Sequence, residues 1–355
     1  MKILSIIGAR PQFIKEAIVQ NEINKFSDIE EVVVHTGQHY DSNMSGVFFE
    51  VLNMKKPDYN LGVKASKHGE MTGKMLIELE QIMLKEKPDI VLLYGDTNST
   101  LAGAISASKL RIKIAHVEAG LRKKQIRNTT EDINRILTDS ISDYLFVPSR
   151  LSLENLHKEG VTKDVYITGD VMYDIFLKMK PKFDYSIIDK LNLKENNYII
   201  MTLHRDFNVD NPKSLKEILK EVNKISRDIK VVLPIHPRTK KRIQQFGFED
   251  LISNLLIIEP IDYLKLMGLT ERCYKVITDS GGYQKEAYFL GKQACLIMPD
   301  TGWRELVDMG FNTLCDVHDV YDNIMNVKEV LYVKDIYGDG KAAERIVSIL
   351  REDNI

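Results

Sequence analysis

Cysteine is scarce in this sequence. There are three, Cys273, Cys295 and Cys315, odd in number and widely spaced. They form neither a disulfide framework nor a zinc pattern, so three unpaired thiols in a reducing compartment are expected. Charge of one sign is missing as well. With 49 Lys and Arg against 51 Asp and Glu, the formal net charge is −2. That gives no general field for nucleic acid, and no basic run rises above a solvated face. Long apolar runs are also absent. The opening KILSII is halted by Gly8-Ala9-Arg10-Pro11, too short for a signal peptide core and far short of a membrane span. A soluble, cytoplasmic protein with neither nucleic acid nor membrane as partner is expected. Nucleotide fingerprints fail too. No Walker A sequence occurs, and the one approximation to a dinucleotide motif, Gly338 to Ala343, has no clean strand before it. It is followed by about a dozen residues, too few for a βαβ unit. His35 and His39 have metal-like separation, but on a strand-to-turn segment with no Cys or carboxylate companion. Neither a metal nor another cofactor is expected.

What the chain does have is a rhythm. Its 355 residues suit about two domains. Short β-branched runs alternate with helical patterns: 2–7, 31–36, 89–94, 113–118, 143–148 and 164–169, then 198–203, 230–235, 254–260, 275–280 and 294–299. Near-continuous apolar strands between amphipathic helices argue for parallel sheets covered on both faces. The polar stretch KMKPKFDYSIIDKLNLKENN (178–197) breaks the rhythm. The expectation is an α/β chain with two Rossmann-like, doubly wound domains, 1–172 and 173–338, and a cleft between them.

Ligands of such sheets sit beyond the carboxyl ends of the strands. Polar groups crowd there in both halves: Gly8-Ala9-Arg10, Thr36-Gly37-Gln38-His39, Gly95-Asp96-Thr97, His116-Val117-Glu118-Ala119-Gly120, His204-Arg205, His236-Pro237-Arg238 and Ser280-Gly281-Gly282. The segment TDSGGYQKEA (278–287) reads as a strand turning into a helix, a seat for an anion. The same residues also suit a plain tight turn. Glu286, one turn on, fits a sugar hydroxyl pair. Asp96 and Glu118 each follow a strand directly, and Glu131 opens a helix after Thr129-Thr130. Asp96 also suits a helix N-cap, and Glu131 a first-turn carboxylate favoured by the dipole. Glu118 has no such simple structural reading. Carboxylates gathered in a cleft serve general acid and base chemistry, and His39 and His204 add groups that titrate near neutral pH.

Together, GARPQFIK, TGQHYD, GDTNSTLAG, HVEAGLR, TEDINRILTDSISDYLF, GDVMYD, TLHR, HPRT, TDSGGYQKEA and YGDGKAAERI occur in an order that resembles the non-hydrolysing UDP-N-acetylglucosamine 2-epimerases, over essentially the whole chain. The resemblance implies a GT-B architecture, two Rossmann-like domains around an interdomain cleft, with a last helix (339–355) crossing back to the first domain. It implies a homodimer and a UDP-sugar substrate. It implies elimination of UDP across C1–C2 and its return with the proton on the other face, without metal or NAD. Carried onto this sequence, Asp96, Glu118 and Glu131 are the catalytic carboxylates. His204 assists the leaving phosphate, and Lys15 and Arg10 hold phosphate or the carboxylates. Arg135 positions Glu131 or substrate, His39 and Arg205 complete the substrate contacts, Ser280, Gly281 and Gly282 take the diphosphate, and Glu286 grips the ribose.

Three departures from the family pattern matter. The usual GTRPE is Gly8-Ala9-Arg10-Pro11-Gln12. The usual PEE-NR is Thr130-Glu131-Asp132-Ile133-Asn134-Arg135. The usual TTERPE is replaced by DTGWRELVDMG (300–310). The last is closer to the subgroup acting on UDP-2,3-diacetamido-2,3-dideoxyglucuronate, whose C6 carboxylate could pair with Arg304 or a nearby Lys, although Arg304 equally suits a solvated helix face. The rivals are a GT-B glycosyltransferase, a non-catalytic UDP-sugar sensor and a hydrolysing epimerase.

Overall fold

The computed structural model describes residues 1–37, 55–64, 67–124, 129–326 and 330–352. The chain forms two units, Met1–Lys178 with Lys334–Ile355, and Met179–Val333.

In the first unit, strands β1 (Lys2–Ile7), β2 (Glu30–His35), β3 (Tyr59–Asn60), β4 (Ile90–Tyr94), β5 (Lys113–Val117), β6 (Tyr144–Val147) and β7 (Val165–Ile167) make one sheet. Its order is β3-β2-β1-β4-β5-β6-β7, and every pairing is parallel. The cause is visible in β4, Ile-Val-Leu-Leu-Tyr, in which each residue is buried. A strand apolar on both faces needs cover on both faces, which crossover helices supply. On one face, Leu4, Ile6, Val91 and Leu93 pack with Met75 and Leu79 of the helix His68–Glu86 and Ala102 of the helix Asn98–Leu110.

The second unit repeats the winding. Strands β8 (Tyr198–Thr202), β9 (Lys230–Pro234), β10 (Leu256–Ile258), β11 (Lys275–Thr278), β12 (Ala294–Leu296) and β13 (Thr313–Leu314) are ordered β10-β9-β8-β11-β12-β13, again all parallel. The helix Pro212–Ile225 shows how sequence makes the layer. Asn211 caps it by accepting the N–H groups of Lys213 and Ser214, and Pro212 at its first position has no N–H to lose. Leu215, Ile218, Leu219, Val222 and Ile225 recur at helical spacing, and all are fully buried beside Met201, Val231 and Leu233. Each such side chain contributes about 1.5–3 kcal/mol by leaving water.

In each sheet the chain winds outward from its first strand and then restarts on the other side of it. Strand order therefore reverses between β1 and β4, and between β8 and β11. A crevice opens beyond the carboxyl ends at such a reversal.

The helix Ala342–Glu352 belongs to the first unit and packs on the helix Arg10–Ile23. Its free N–H groups at Ala342 and Ala343 donate to the Asp174 carboxylate at 3.1 and 2.9 Å. The Gly338–Ala343 segment, which imitates a dinucleotide motif, is thus the approach to a helix cap.

Two strands escape the sequence reading, β3 and β13, because two residues show no periodicity. Several others are shorter than expected, 256–258 in place of 254–260 and 294–296 in place of 294–299. The cysteine expectation is corrected. Cys295 on β12 and Cys315, just past β13, form a disulfide with Cα atoms 6.2 Å apart, while Cys273 is a buried free thiol. Twenty residues separate the pair in sequence, and it is the parallel pairing of β12 with β13 that brings them together. Among the described residues, no helix is long and apolar enough to cross a membrane.

Candidate active site

The first unit gathers its ionisable groups at the reversal of strand order. The turn after β1 is drawn tightly against its neighbours. A Cβ on Gly8 would lie 2.0 Å from Ser99 Oγ and 2.5 Å from Thr36 Oγ1, so only glycine fits. The helix Arg10–Ile23 starts there and buries Lys15. After β4, Thr97 and not Asp96 caps the helix Asn98–Leu110, its side chain accepting from the Thr100 N–H. The Asp96 carboxylate is thereby left for another partner, Arg135, whose Nη1 is 2.7 Å away.

Glu118, just past β5, has a left-handed backbone with φ of 70°. For a residue with a Cβ this is a strained state, costing on the order of 1–3 kcal/mol, and it persists only where surroundings over-determine it. Here they do. The Glu118 N–H donates to the Phe146 carbonyl at 3.1 Å. Its carboxylate pairs with Lys15 Nζ and with Arg135 Nη2 at 3.2 Å. Arg135 Nε also donates to the Glu118 carbonyl at 3.3 Å. Two carboxylates and two cations thus lock together at the ends of adjacent strands.

Beneath them lies a second layer, of which the sequence marked His116, at a strand end, but not its partner Asp139. His116 reaches Asp139 through Nδ1 at 2.7 Å and the Gly95 carbonyl through Nε2 at 2.6 Å, so both ring nitrogens face acceptors. Asp139 also pairs with Arg122 at 2.8 Å and accepts the Gly120 N–H at 3.1 Å. Burial alone would push the Asp139 carboxyl up, but His116 and Arg122 outweigh it and hold it below the usual carboxylate range. Asn134 Nδ2 donates to the Asp96 carbonyl at 3.0 Å and to Asn98 Oδ1 at 3.2 Å. The signal for Asp139 was its spacing: it lies four residues after Arg135 on one helix, and so on the same face.

In the second unit the organising group is Asp279, fully buried just past β11. It accepts the backbone N–H of His204 at 3.0 Å, that of Arg205 at 2.8 Å and Asn208 Nδ2 at 3.2 Å. His204 Nδ1 lies 3.1 Å from its other oxygen. Burial pushes the Asp279 carboxyl up, yet His204 and the two backbone N–H groups together hold it low. The ends of β8 and β11 are thus stapled, and the His204 ring is oriented by a carboxylate. The His236 ring lies 5.8 Å from it, centroid to centroid. After Asp279, the Ser280 N–H donates to Thr278 Oγ1, and Ser280 Oγ accepts the Tyr283 N–H. A Cβ on Gly281 or Gly282 would meet nothing within 4 Å among the described residues, so the backbone there faces open space. Half-buried Glu286 hydrogen-bonds Tyr263; burial, with this carboxylate adding to it, pushes that phenol well up.

The structure therefore brings together Lys15, Asp96, Glu118 and Arg135 in one unit, and His204 and Arg205 with the Ser280–Gly282 turn in the other. Arg10 and Arg205 are exposed. Glu131 is exposed in the first turn of the helix Thr130–Ile141, and among the described residues no hydrogen bond or ion pair joins it to Asp96 or Glu118. His39 lies outside the described residues. Arg304 is occupied within its own segment, with Asp300 at 3.2 Å and Asp308 at 2.6 Å. Among the described residues, no cluster of three His, Cys, Asp or Glu side chains is placed to hold a metal ion.

Comparison with known proteins agrees with this fold. The pattern of the family described as UDP-N-acetylglucosamine 2-epimerase matches residues 21–351. The chain is 44% identical over 362 residues to the UDP-2,3-diacetamido-2,3-dideoxy-D-glucuronate 2-epimerase of Pseudomonas aeruginosa, covering 99% of each. It is 42% identical over 372 residues to the UDP-N-acetylglucosamine 2-epimerase of Methanocaldococcus jannaschii, again covering 99% of each. A crystal structure of the Methanocaldococcus jannaschii UDP-GlcNAc 2-epimerase in complex with UDP-GlcNAc and UDP matches with a TM-score of 0.86 at 40% identity, covering 99% of this chain and 100% of that one. A parallel sheet wound in this order, charged groups at its reversal and likeness along the full length lead to one conclusion: the chain belongs to the UDP-N-acetylglucosamine 2-epimerase family.

Proposed function

We propose that the protein interconverts UDP-N-acetylglucosamine and UDP-N-acetylmannosamine by inverting C2 without net hydrolysis. The observation that carries this reading is the pair Asp96 and Glu118, each bound to Arg135 at the ends of adjacent strands, in a chain of this family. The C2 hydrogen has no neighbouring carbonyl to acidify it, so a base must act while a good leaving group departs. One carboxylate takes the C2 proton. The C–H electron pair becomes the C1–C2 double bond, and the C1–O pair leaves with UDP. Return of UDP to C1, with proton delivery to C2 from the opposite face, gives the epimer. Asp96, Glu118 and Glu131 are the candidate acids and bases, and Lys15 and Arg135 hold the first two in place. His204, oriented by Asp279, and the Ser280–Gly282 backbone suit the diphosphate as charge develops on it. Arg10, Arg205 and Glu286 complete the substrate contacts.

A second reading, epimerisation of UDP-2,3-diacetamido-2,3-dideoxyglucuronate, is favoured by the Pseudomonas aeruginosa relative. Against it, Arg304, one of the cations expected to meet the C6 carboxylate beside a nearby Lys, already serves two carboxylates of its own. We also propose a homodimer. The helix Thr130–Ile141 supports it by turning Ile133, Leu137 and Ile141 outward.

The test is product analysis with each UDP-sugar in parallel tubes. The expected result is UDP-N-acetylmannosamine growing at the expense of UDP-N-acetylglucosamine, with total UDP-sugar constant. Free UDP released in proportion to turnover would replace this reading with hydrolysis. Turnover of the diacetamido-glucuronate alone would replace the substrate.

A further inference from the structure

Gln12 sits in the first turn of the helix Arg10–Ile23 and is 2% exposed. Its Oε1 accepts the backbone N–H groups of Gly8 at 2.8 Å and Ala9 at 3.0 Å. Its Nε2 donates to the Tyr94 carbonyl at 2.5 Å and lies 2.9 Å from Thr100 Oγ1 and 3.1 Å from Thr97 Oγ1. The partners fix the orientation of the amide: two N–H groups require an acceptor on one side, and a carbonyl requires a donor on the other. Through this single side chain the turn after β1 is tied to the turn after β4, across the reversal of strand order. The second of these turns carries Asp96.

We propose that Gln12 is a positioning residue for Asp96, an amide clamp across the reversal whose hold does not depend on pH. The proposal rests on Asp96 being a working carboxylate, as in the function proposed above. Where the resembled motif GTRPE ends in glutamate, this chain has Gln12. A carboxylate in that place would accept from Gly8 and Ala9 equally well, but it would set a lone pair against the Tyr94 carbonyl. Only its protonated form could donate. The amide is a donor and an acceptor at once, with no proton to lose. Buried polar pairs left unmatched are costly, and small displacements of a reacting group are felt strongly in rate.

The experiment follows deuterium entry at C2 of UDP-N-acetylglucosamine in D2O, with the full chain, for wild type, Gln12→Met and Gln12→Glu. Gln12→Met should lose about 100-fold in rate, the scale of a displaced reacting group. Gln12→Glu should be similarly slow near about pH 8, and should gain at least about tenfold relative to wild type towards about pH 6 as its carboxyl takes a proton. A residue that only supports the fold would show acid rescue of rate only in step with a rise in melting temperature. If Gln12→Met fails to fold, Thr100→Val removes one partner of Nε2 more gently and should cost about tenfold. Wild-type rates in Gln12→Met or Thr100→Val, or a constant Gln12→Glu to wild-type ratio across pH, overturn the clamp while leaving the activity standing. Absence of exchange in the wild type overturns the activity reading, and the clamp with it.

Discussion

Glu16 lies one residue after Lys15 and has different neighbours. It is fully buried, with Glu31, Tyr94 and Ser5 around its carboxyl. Burial pushes this carboxyl well above its ordinary value of 4.5, and the nearby Glu31 adds to the push. The sign of the consequence follows from linkage. A carboxyl raised in the folded state stabilises the fold fully at acid pH, below the unfolded value, and that stability is lost as pH rises through the folded value. Gln, which has no proton to lose, should therefore match wild type at acid pH and exceed it increasingly as pH rises. Melting temperatures of Glu16→Gln and wild type across pH check this, and a constant offset at every pH would contradict it. At this scale the sequence spoke unevenly. Asp96 and Glu118 could be named because each follows a strand directly. Asp139, His116, Asp279 and Gln12 act through partners as far as 82 positions away, and that pairing is created by the winding of the sheet.

The helix Thr130–Ile141 is inside out. Its buried face is Asp132, Asn134, Arg135, Thr138 and Asp139, while Ile133, Leu137 and Ile141 are 43%, 46% and 38% exposed. Pattern alone would turn the isoleucines and the leucine inward. The inner side is instead taken by the site: Arg135 for the two carboxylates, Asp139 for His116 and Arg122. Strands follow pattern more faithfully, because both faces of a parallel sheet are buried and an apolar run has one outcome. The outward stripe, repeating every four residues on the back of this helix, is the observation behind the proposed homodimer. Leu137→Glu should convert the proposed dimer to a monomer in light scattering. A wild-type monomer, or a Leu137→Glu variant that stays dimeric, would contradict that role.

At the scale of the molecule, the two units wind alike, and each sets its polar side chains beyond the strand ends beside its own reversal of order. That much follows from apolar runs, turn residues and the placement of charge after strands. The return of the helix Ala342–Glu352 to the first unit depends on a distant carboxylate, Asp174, at its N-terminus. No local pattern announces such a cap. The chemistry assigned to the pair of units has one signature that neither sugar transfer nor simple binding shares: the hydrogen at C2 must leave. Proton NMR of UDP-N-acetylglucosamine with the wild-type protein in D2O reads this directly. Deuterium at C2 of the manno epimer, with UDP still attached, is the predicted result. Epimer that keeps its original hydrogen at C2, or bound UDP-sugar that never exchanges, would contradict the account.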